Sequence, residues 1–369
     1  MFEVVDKVSG DTFKSAFKLE SVKTDTVVFR LHYKLSVWLI ILYSIAYVYV
    51  QLNKPISCMF SKADEIGSNS DVMNDFCWVH GAYSLNRTSL PGGQIFPGVR
   101  GFTSKEEPVR YHNYYIWMYF IIVCMIIMLH TPRQLWRCIE NGLLKTLSEK
   151  IQVCKVLARD EDIQKREDNL VEFLVCHMGY HRWYAVGFIV CEVLNVIVVA
   201  CLMIVLDMIT GHEFSMHGAT SFSYLGTPPI ERTDPMSKVF PILGKCTFNK
   251  YGPSGNIIPY DGICVLPLNV INELAVVFFW YYFMVILTLG LTGLVYRLIL
   301  GCSKRIRISI LSARTPLTLP EDISFIVNKC SYSDWFILLQ ISGCIDPVLF
   351  REVIEKFVQK VRLKDVSFL

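Results

Sequence analysis

LSVWLIILYSIAYVYVQLN, residues 35–53, runs between Lys34 and Lys54 without a charged side chain. A bilayer core takes roughly 20 apolar residues of helix, and this stretch fits it. Three further stretches follow the same rule. Residues 111–132 are uncharged between Arg110 and Arg133, and residues 183–206 carry one charge, Glu192. Leu274 to Tyr296 is uncharged between Glu273 and Arg297, the heart of a span drawn over 268–297. Four such segments argue against a soluble protein with buried core helices. They predict an all-α membrane protein with four transmembrane helices, because only helices and closed barrels satisfy their backbone in lipid.

Composition agrees. The chain has 369 residues, 53% of them hydrophobic and 13% aromatic, more apolar than a usual soluble domain. A net charge of +3 gives no general field for nucleic acid, so the expected surroundings are membrane lipid. Residues 1–34 mix acids and bases, and the apolar stretch begins too late and runs too long for a cleavable leader. The first span is expected to stay in the mature protein.

Basic residues orient the spans. Arg30 and Lys34 precede the first, Arg133 and Arg137 follow the second, and Arg182 precedes the third. Arg297, Lys304, Arg305 and Arg307 follow the fourth. By the positive-inside rule these ends are cytosolic, at a plasma membrane crossed four times with both termini inside. The expected plan is a cytosolic N-terminal segment over 1–34 and spans over 35–53, 111–132, 183–206 and 268–297. Extracellular loops cover 54–110 and 207–267, with a cytosolic helical loop over 133–182 and a cytosolic helical region over 298–369.

The two outer loops hold two cysteines each: Cys58 and Cys77 in the first, Cys246 and Cys264 in the second. An even number outside suits oxidised pairs. Four cysteines allow three pairings, and the residues alone leave them open. Pairs within a loop would stiffen each loop; pairs between loops would make one platform, with Trp78 packed against it. The Asn86-Arg87-Thr88 sequon is a glycosylation candidate in the first loop. Gly and Pro steps such as Pro91-Gly92-Gly93 read that loop as turns and short strands.

Inside the cell, Leu143, Leu144, Leu147, Ile151, Cys154 and Leu157 keep helical spacing. Asp346-Pro347 fits a helix start, and Leu349, Val353, Phe357 and Val361 then mark one face. The middle and C-terminal segments are expected to form one small helical domain. Val4, Val5, Val8, Phe13, Phe17 and Leu19 suit a short amphipathic helix at the start of the chain.

No P-loop, G-x-S-x-G, H-E-x-x-H or C-x-x-C motif occurs, so an enzyme, a resident cofactor or a metal site is not expected. His177 and His181 share a helix face, which suits a metal, a proton sensor or plain packing near Trp183 and Tyr184. Glu192 is costly in lipid and should face protein or water. It fits either a pathway lining or a hydrogen bond inside the bundle, with Asn195 or with a neighbouring span. Asn272 and Glu273, at the outer end of the fourth span, read as solvated. Cys124, Cys191 and Cys201 read as small packing residues.

Several separated motifs, in order, resemble the innexins, the gap-junction channel proteins of invertebrates. Tyr114-Tyr115-Ile116-Trp117-Met118 is similar to the family's Y-Y-Q-W-V, departing at Ile116 and Met118. Thr131-Pro132-Arg133 with Leu135-Trp136, Phe76-Cys77-Trp78-Val79-His80, and Lys245-Cys246-Thr247-Phe248 also resemble it. So do Cys264-Val265-Leu266-Pro267-Leu268-Asn269, Cys191-Glu192 with Asn195, and Asp346-Pro347 with Phe350. The resemblance implies a channel for ions and small metabolites, built as an octameric ring of innexin subunits. Such a ring would dock through its outer loops onto an opposed ring on a neighbouring cell at a gap junction. It implies two disulfide-linked loops, with Cys58 paired to Cys264 and Cys77 to Cys246. It also implies a pore entrance lined by the N-terminal segment, with Phe2, Glu3, Val4 and Asp6 as candidates.

Overall fold

A computed structural model describes residues 25–53, 55–60, 70–85, 99, 109–112, 114–152, 160–220 and 239–366. Phe2, Glu3, Val4, Asp6 and Asn86 lie outside the described residues, as does the amphipathic stretch before residue 25.

Four helices are long and apolar enough to cross a membrane: Val27–Asn53, Met118–Glu140, Arg182–Ile209 and Pro267–Cys302. They do not stop where the apolar stretches stop. The first begins at Val27, with Thr26 as its N-cap; the Thr26 hydroxyl accepts from the Phe29 N–H at 3.2 Å. A π-turn follows at Leu31–Leu35. The second starts at Met118, later than its apolar stretch, because Val109–His112 is a strand and Tyr114–Ile116 a 3-10 turn. It continues through Pro132 to Glu140. Proline there removes one N–H from the helical ladder but does not end the helix. The fourth starts on Pro267, a residue suited to the first helical position.

The described residues fall into two compact units. One comprises, of the described residues, 25–35, 129–152, 160–197 and 288–366. It is helical, with shorter helices Leu143–Gln152, Asp160–Cys176, Lys304–Arg314, Pro320–Lys329, Tyr332–Ser342 and Pro347–Val366. Its core joins Leu144, Leu170 and Leu174 of the middle segment to Ile326, Trp335, Phe350 and Val353 of the C-terminal one. The middle and C-terminal segments thus share one hydrophobic core. Lys356 Nζ adds a tie, reaching Glu167 Oε2 and Asp168 Oδ1, each at 3.0 Å. The last helix starts at Pro347, where the Asp346 carboxylate accepts from the Val348 N–H.

The other unit comprises the described residues within 36–128 and 198–287. It carries a five-stranded antiparallel sheet with order β1-β5-β4-β2-β3. Here β1 is Ser57–Phe60, β2 Ala82–Leu85, β3 Val109–His112, β4 Leu243–Tyr251 and β5 Ile257–Val265. The all-α class thus holds for the spans and the helical unit, with one small sheet between them in sequence. The segment before β2 holds a helix, Ser70–His80, where turns and strands are expected from the sequence. Its signal is Met73, Phe76, Cys77 and His80 at i, i+3, i+4 and i+7.

Candidate functional site

The sheet interleaves two distant pieces of chain. The hairpin of β4 and β5 lies between β1 on one side and β2 with β3 on the other. Register sets Cys58 of β1 opposite Cys264 of β5, and the two form a disulfide. Cys77, from the Ser70–His80 helix, forms the second with Cys246 of β4. Each bond joins the first loop to the second, the pairing that the resemblance implies. Packing supports the junction: Cys77, Cys246 and Cys264 are buried with Ile56, Ala82 and Leu266, and Phe60, Phe76 and Trp78 pack on them. Asn74 accepts from the Cys58 N–H at 2.9 Å, fastening the helix to β1. Gly262 faces the Phe60 ring so closely that a Cβ there would lie 2.6 Å from a ring carbon.

Among the described residues, the one group of His, Cys, Asp or Glu with three ligand atoms close together is Cys58, Cys77 and Cys264. All three sulfurs are bonded in disulfides, so no thiolate is available to a metal.

A polar network sits beside the sheet. Tyr43 donates to Asn272 Oδ1 at 2.8 Å, Tyr47 to the Tyr115 carbonyl at 3.2 Å, and Tyr115 to the Trp78 carbonyl at 2.6 Å. Tyr114 donates to Asn269, whose Nδ2 donates to the Pro241 carbonyl at 2.7 Å. Asn272 is fully buried. It is not the solvated residue expected from the sequence, because the tyrosines of two other segments close over it.

In the helical unit, Glu192 meets Arg297. Arg297 donates from Nε to Oε2 at 2.8 Å and from Nη2 to Oε1 at 3.0 Å. The side chains are 14% and 7% exposed. The guanidinium also lies over the rings of Phe188 and Phe336, 5.0 and 5.2 Å from their centroids. Of the readings left open for Glu192, the bond to a neighbouring span is the one formed. The Thr26 hydroxyl lies 3.5 Å from Glu192 Oε1. Asp25 accepts from Arg133 at 2.8 Å and from Tyr33 at 3.0 Å. The root of the first long helix is therefore tied through Asp25 to Arg133, with Glu192 close by. Asn195 is buried too, and its Nδ2 has no partner. It does not bond Glu192.

His177 stacks on Phe173, ring centroids 4.4 Å apart, and His181 lies 3.4 Å from Asp334. Asp334 belongs to a capping box with Ser331 and also accepts from the Gly179 N–H. Burial pushes its carboxyl up, but the bonds from His181, Ser331 and Gly179 outweigh it and hold it below the usual range. This is a packing junction, which the i, i+4 spacing of the histidines leaves room for. Cys191 is buried as expected, whereas Cys124 and Cys201 lie on exposed faces of the chain.

Four apolar helices of membrane length and a sheet built from two disulfide-tied loops define a multi-pass membrane protein. The innexin family model matches residues 25–361. Innexin inx2 of Drosophila melanogaster is 36% identical over 96% of this chain and 94% of its own length. Innexin inx2 of Schistocerca americana is 35% identical over 99% of this chain and 100% of its own. Innexin shaking-B of Drosophila melanogaster is 32% identical over 94% and 93%. The chain belongs to the innexin family, gap-junction channel proteins of the plasma membrane and not enzymes.

Proposed function

We propose that this chain is the subunit of a ring, of about eight copies, that docks end to end with a ring on the adjacent cell and passes ions and small metabolites. Both termini would lie in the cytosol, and the sheet-bearing loops outside. The observation that carries this reading is the loop sheet cross-tied by Cys58–Cys264 and Cys77–Cys246. Two loops locked into one sheet are preorganised, so little ordering cost remains when another surface meets them. The hairpin tip also presents Tyr251, Ile257 and Ile258 to solvent, apolar surface suited to a partner. Basic residues at the span ends support the orientation. Lipid would cover the long helices, and Phe2, Glu3, Val4 and Asp6 would line the entrance.

Paired-cell recording tests this. Junctional current should appear between two expressing cells and vanish with Cys58→Ser while the chain still reaches the surface. Current retained at full size would sink the docking platform.

A second reading has its own observation. The sequon at Asn86 falls in the first loop, and a glycan there would stand in the way of an opposed ring. On this reading the chain works undocked, releasing ions and small metabolites outside. Comparing Asn86→Gln with wild type in paired cells decides: no gain in coupling excludes a blocking glycan.

A further inference from the structure

We infer that the turn joining the fourth long helix to the Lys304–Arg314 helix binds a phosphate monoester, carried by a lipid headgroup or by a soluble molecule. The key group is Arg307. It is 6% exposed, and its guanidinium makes no hydrogen bond or ion pair with a described residue. Arg297 gives the contrast. Its guanidinium lies over the Phe336 ring and is neutralised by Glu192. Arg307 lies over the adjacent Tyr332 ring, 6.0 Å from its centroid, and has no such carboxylate. A buried cation without a partner is costly, and an anion relieves it. Nε of Arg307 is sealed from solvent. The two Nη groups, equally without an acceptor, keep surface, and they offer the forked geometry that suits phosphate oxygens.

The turn adds charge of the same sign. Lys304 and Arg305 are exposed and unpaired among the described residues, and the first turn of the helix holds no acid. Lys304 precedes Arg307 by three residues and shares its face. A helical side chain leans toward the N-terminus, which aims Arg307 at that turn. The helix contributes the positive end of its dipole there. Ser303 accepts from the Ile306 N–H at 3.4 Å, while the N–H groups of Lys304 and Arg305 take no described partner. Such free N–H groups suit an anion.

Charge selects the anion. Three cations and a helix end are gathered at the turn. A carboxylate or a phosphodiester brings a single negative charge, whereas a monoester brings about 1.5 to 2 with three acceptor oxygens. The turn directly follows Pro267–Cys302, a helix of membrane length, and Leu298 and Ile299 are exposed near its end. Lipid headgroups meet the chain at such a place, so a phosphoinositide is the lipid that fits. Its placement in the inner leaflet rests on the orientation proposed above; binding itself depends on neither docking nor current.

The test uses the full chain in phosphatidylcholine nanodiscs, titrated with a short-chain phosphatidylinositol monophosphate and read by native mass spectrometry. One lipid per chain is expected, and a short-chain phosphatidylserine should bind about 10-fold or more weakly. Arg307→Gln should weaken the monophosphate about 10-fold or more, through the lost charge-assisted bonds. Lys304→Gln should weaken it about 5-fold, and Arg305→Gln, which does not face Arg307, less. If Arg307→Gln does not fold, Lys304→Gln, at an exposed position, serves in its place. Free inositol monophosphate competing at the same concentration as the lipid would make a soluble molecule the source and keep the site. Competition only far above that concentration would make the lipid the source. Affinity untouched by Arg307→Gln or Lys304→Gln, equal losses at Lys304 and Arg305, or phosphatidylserine bound as tightly would each overturn the assignment. So would density of an assembled ring with a neighbouring copy's carboxylate on Arg307.

Discussion

Removing Glu192 should cost this protein about 3–5 kcal/mol, and removing Arg297 with it should restore most of that loss. Two charge-assisted bonds link the pair, at roughly 1.5–3 kcal/mol each. Their sum agrees with the roughly 3–5 kcal/mol lost when one member of a buried pair is deleted and the other charge is left unpaired. The 3.5 Å contact from Thr26 is too long to add much. Arg297→Met should cost more than Glu192→Met. It also gives up the contacts with the Phe188 and Phe336 rings, at roughly 0.5–2 kcal/mol. The double variant leaves no orphan charge, so it should lose only that ring contribution. With about 3–5 kcal/mol lost for each orphaned charge, the coupling energy between the two positions is then about 6–10 kcal/mol. SDS-driven unfolding of the full chain in mixed micelles, followed by circular dichroism, measures it through the four-variant cycle. Polar contacts between membrane helices average only about 0.6 kcal/mol. A coupling at or below that level would refute the reasoning. It would mean that water reaches the pair and that Glu192 serves as lining and not as a structural tie.

Breaking Cys77–Cys246 by Cys77→Ser opens a closed loop with a sequence separation of 169. With Cys58–Cys264 kept closed, however, the ring that opens is only residues 58–77 with 246–264, roughly 40 residues, and chain entropy puts the loss at about 4 kcal/mol. Non-reducing peptide mapping should then still recover Cys58 with Cys264, and a Cys58–Cys246 peptide instead would mean that the sheet register does not direct pairing. Gly262→Val should cost about 1–3 kcal/mol by overpacking against Phe60, and Phe60→Ala in the same chain should recover part of it; additive losses would clear Phe60 of the clash. Asp334 titrates below its ordinary value of 3.8 in the folded chain. A lowered carboxylate stabilises fully above its unfolded pKa and loses that contribution as pH falls through the folded one. Its share of stability should therefore be flat from about pH 5 to 8 and fall only below about pH 4. Asp334→Asn should flatten that acid limb at a cost of about 1–3 kcal/mol near neutrality; an unchanged acid limb in circular dichroism would contradict the assignment.

The existence of the spans was legible because uncharged runs of bilayer length have few other uses. Their ends were not. Hydropathy stops at the first Arg or Lys, but a helix does not, and Arg30, Arg133, Arg137 and Arg182 all sit inside long helices. The Ser70–His80 helix was hidden by its polar residues Asp71, Asn74 and Asp75, which suit loops, although one face is buried through Met73 and Cys77. The partner of Glu192 was in view as a basic residue ending the fourth span. Periodicity says which face of a helix is apolar, not which helices are neighbours, so an acid on one span and a base on another could not be paired from spacing. The disulfide pairing shows the same limit: the residues allowed three solutions, and only the strand register selects the one formed.

The motif residues near the second span show what such a signature does physically. Tyr114 and Tyr115 each donate a hydrogen bond, one to Asn269 and one to the Trp78 carbonyl, and Tyr115 also supplies the carbonyl that Tyr47 uses. Trp117, in the same motif, is 63% exposed on the single chain, and its ring centroid lies 5.9 Å from that of Phe120. The two tyrosines therefore hold the sheet to the entry of the fourth long helix, while Trp117 faces outward, where lipid or another subunit would meet it. This division explains how Ile116 and Met118 can depart from the family pattern while the fold is kept: the hydrogen bonds depend on the neighbours that match. Tyr115→Phe separates the two roles. It removes the hydroxyl bond to Trp78 and keeps the ring stacked 5.8 Å from the indole. The loss should be about 1 kcal/mol, with both disulfides intact on peptide mapping. A variant that scrambles the disulfides would show that this single hydroxyl, and not the strand register, positions Cys77 for its bond.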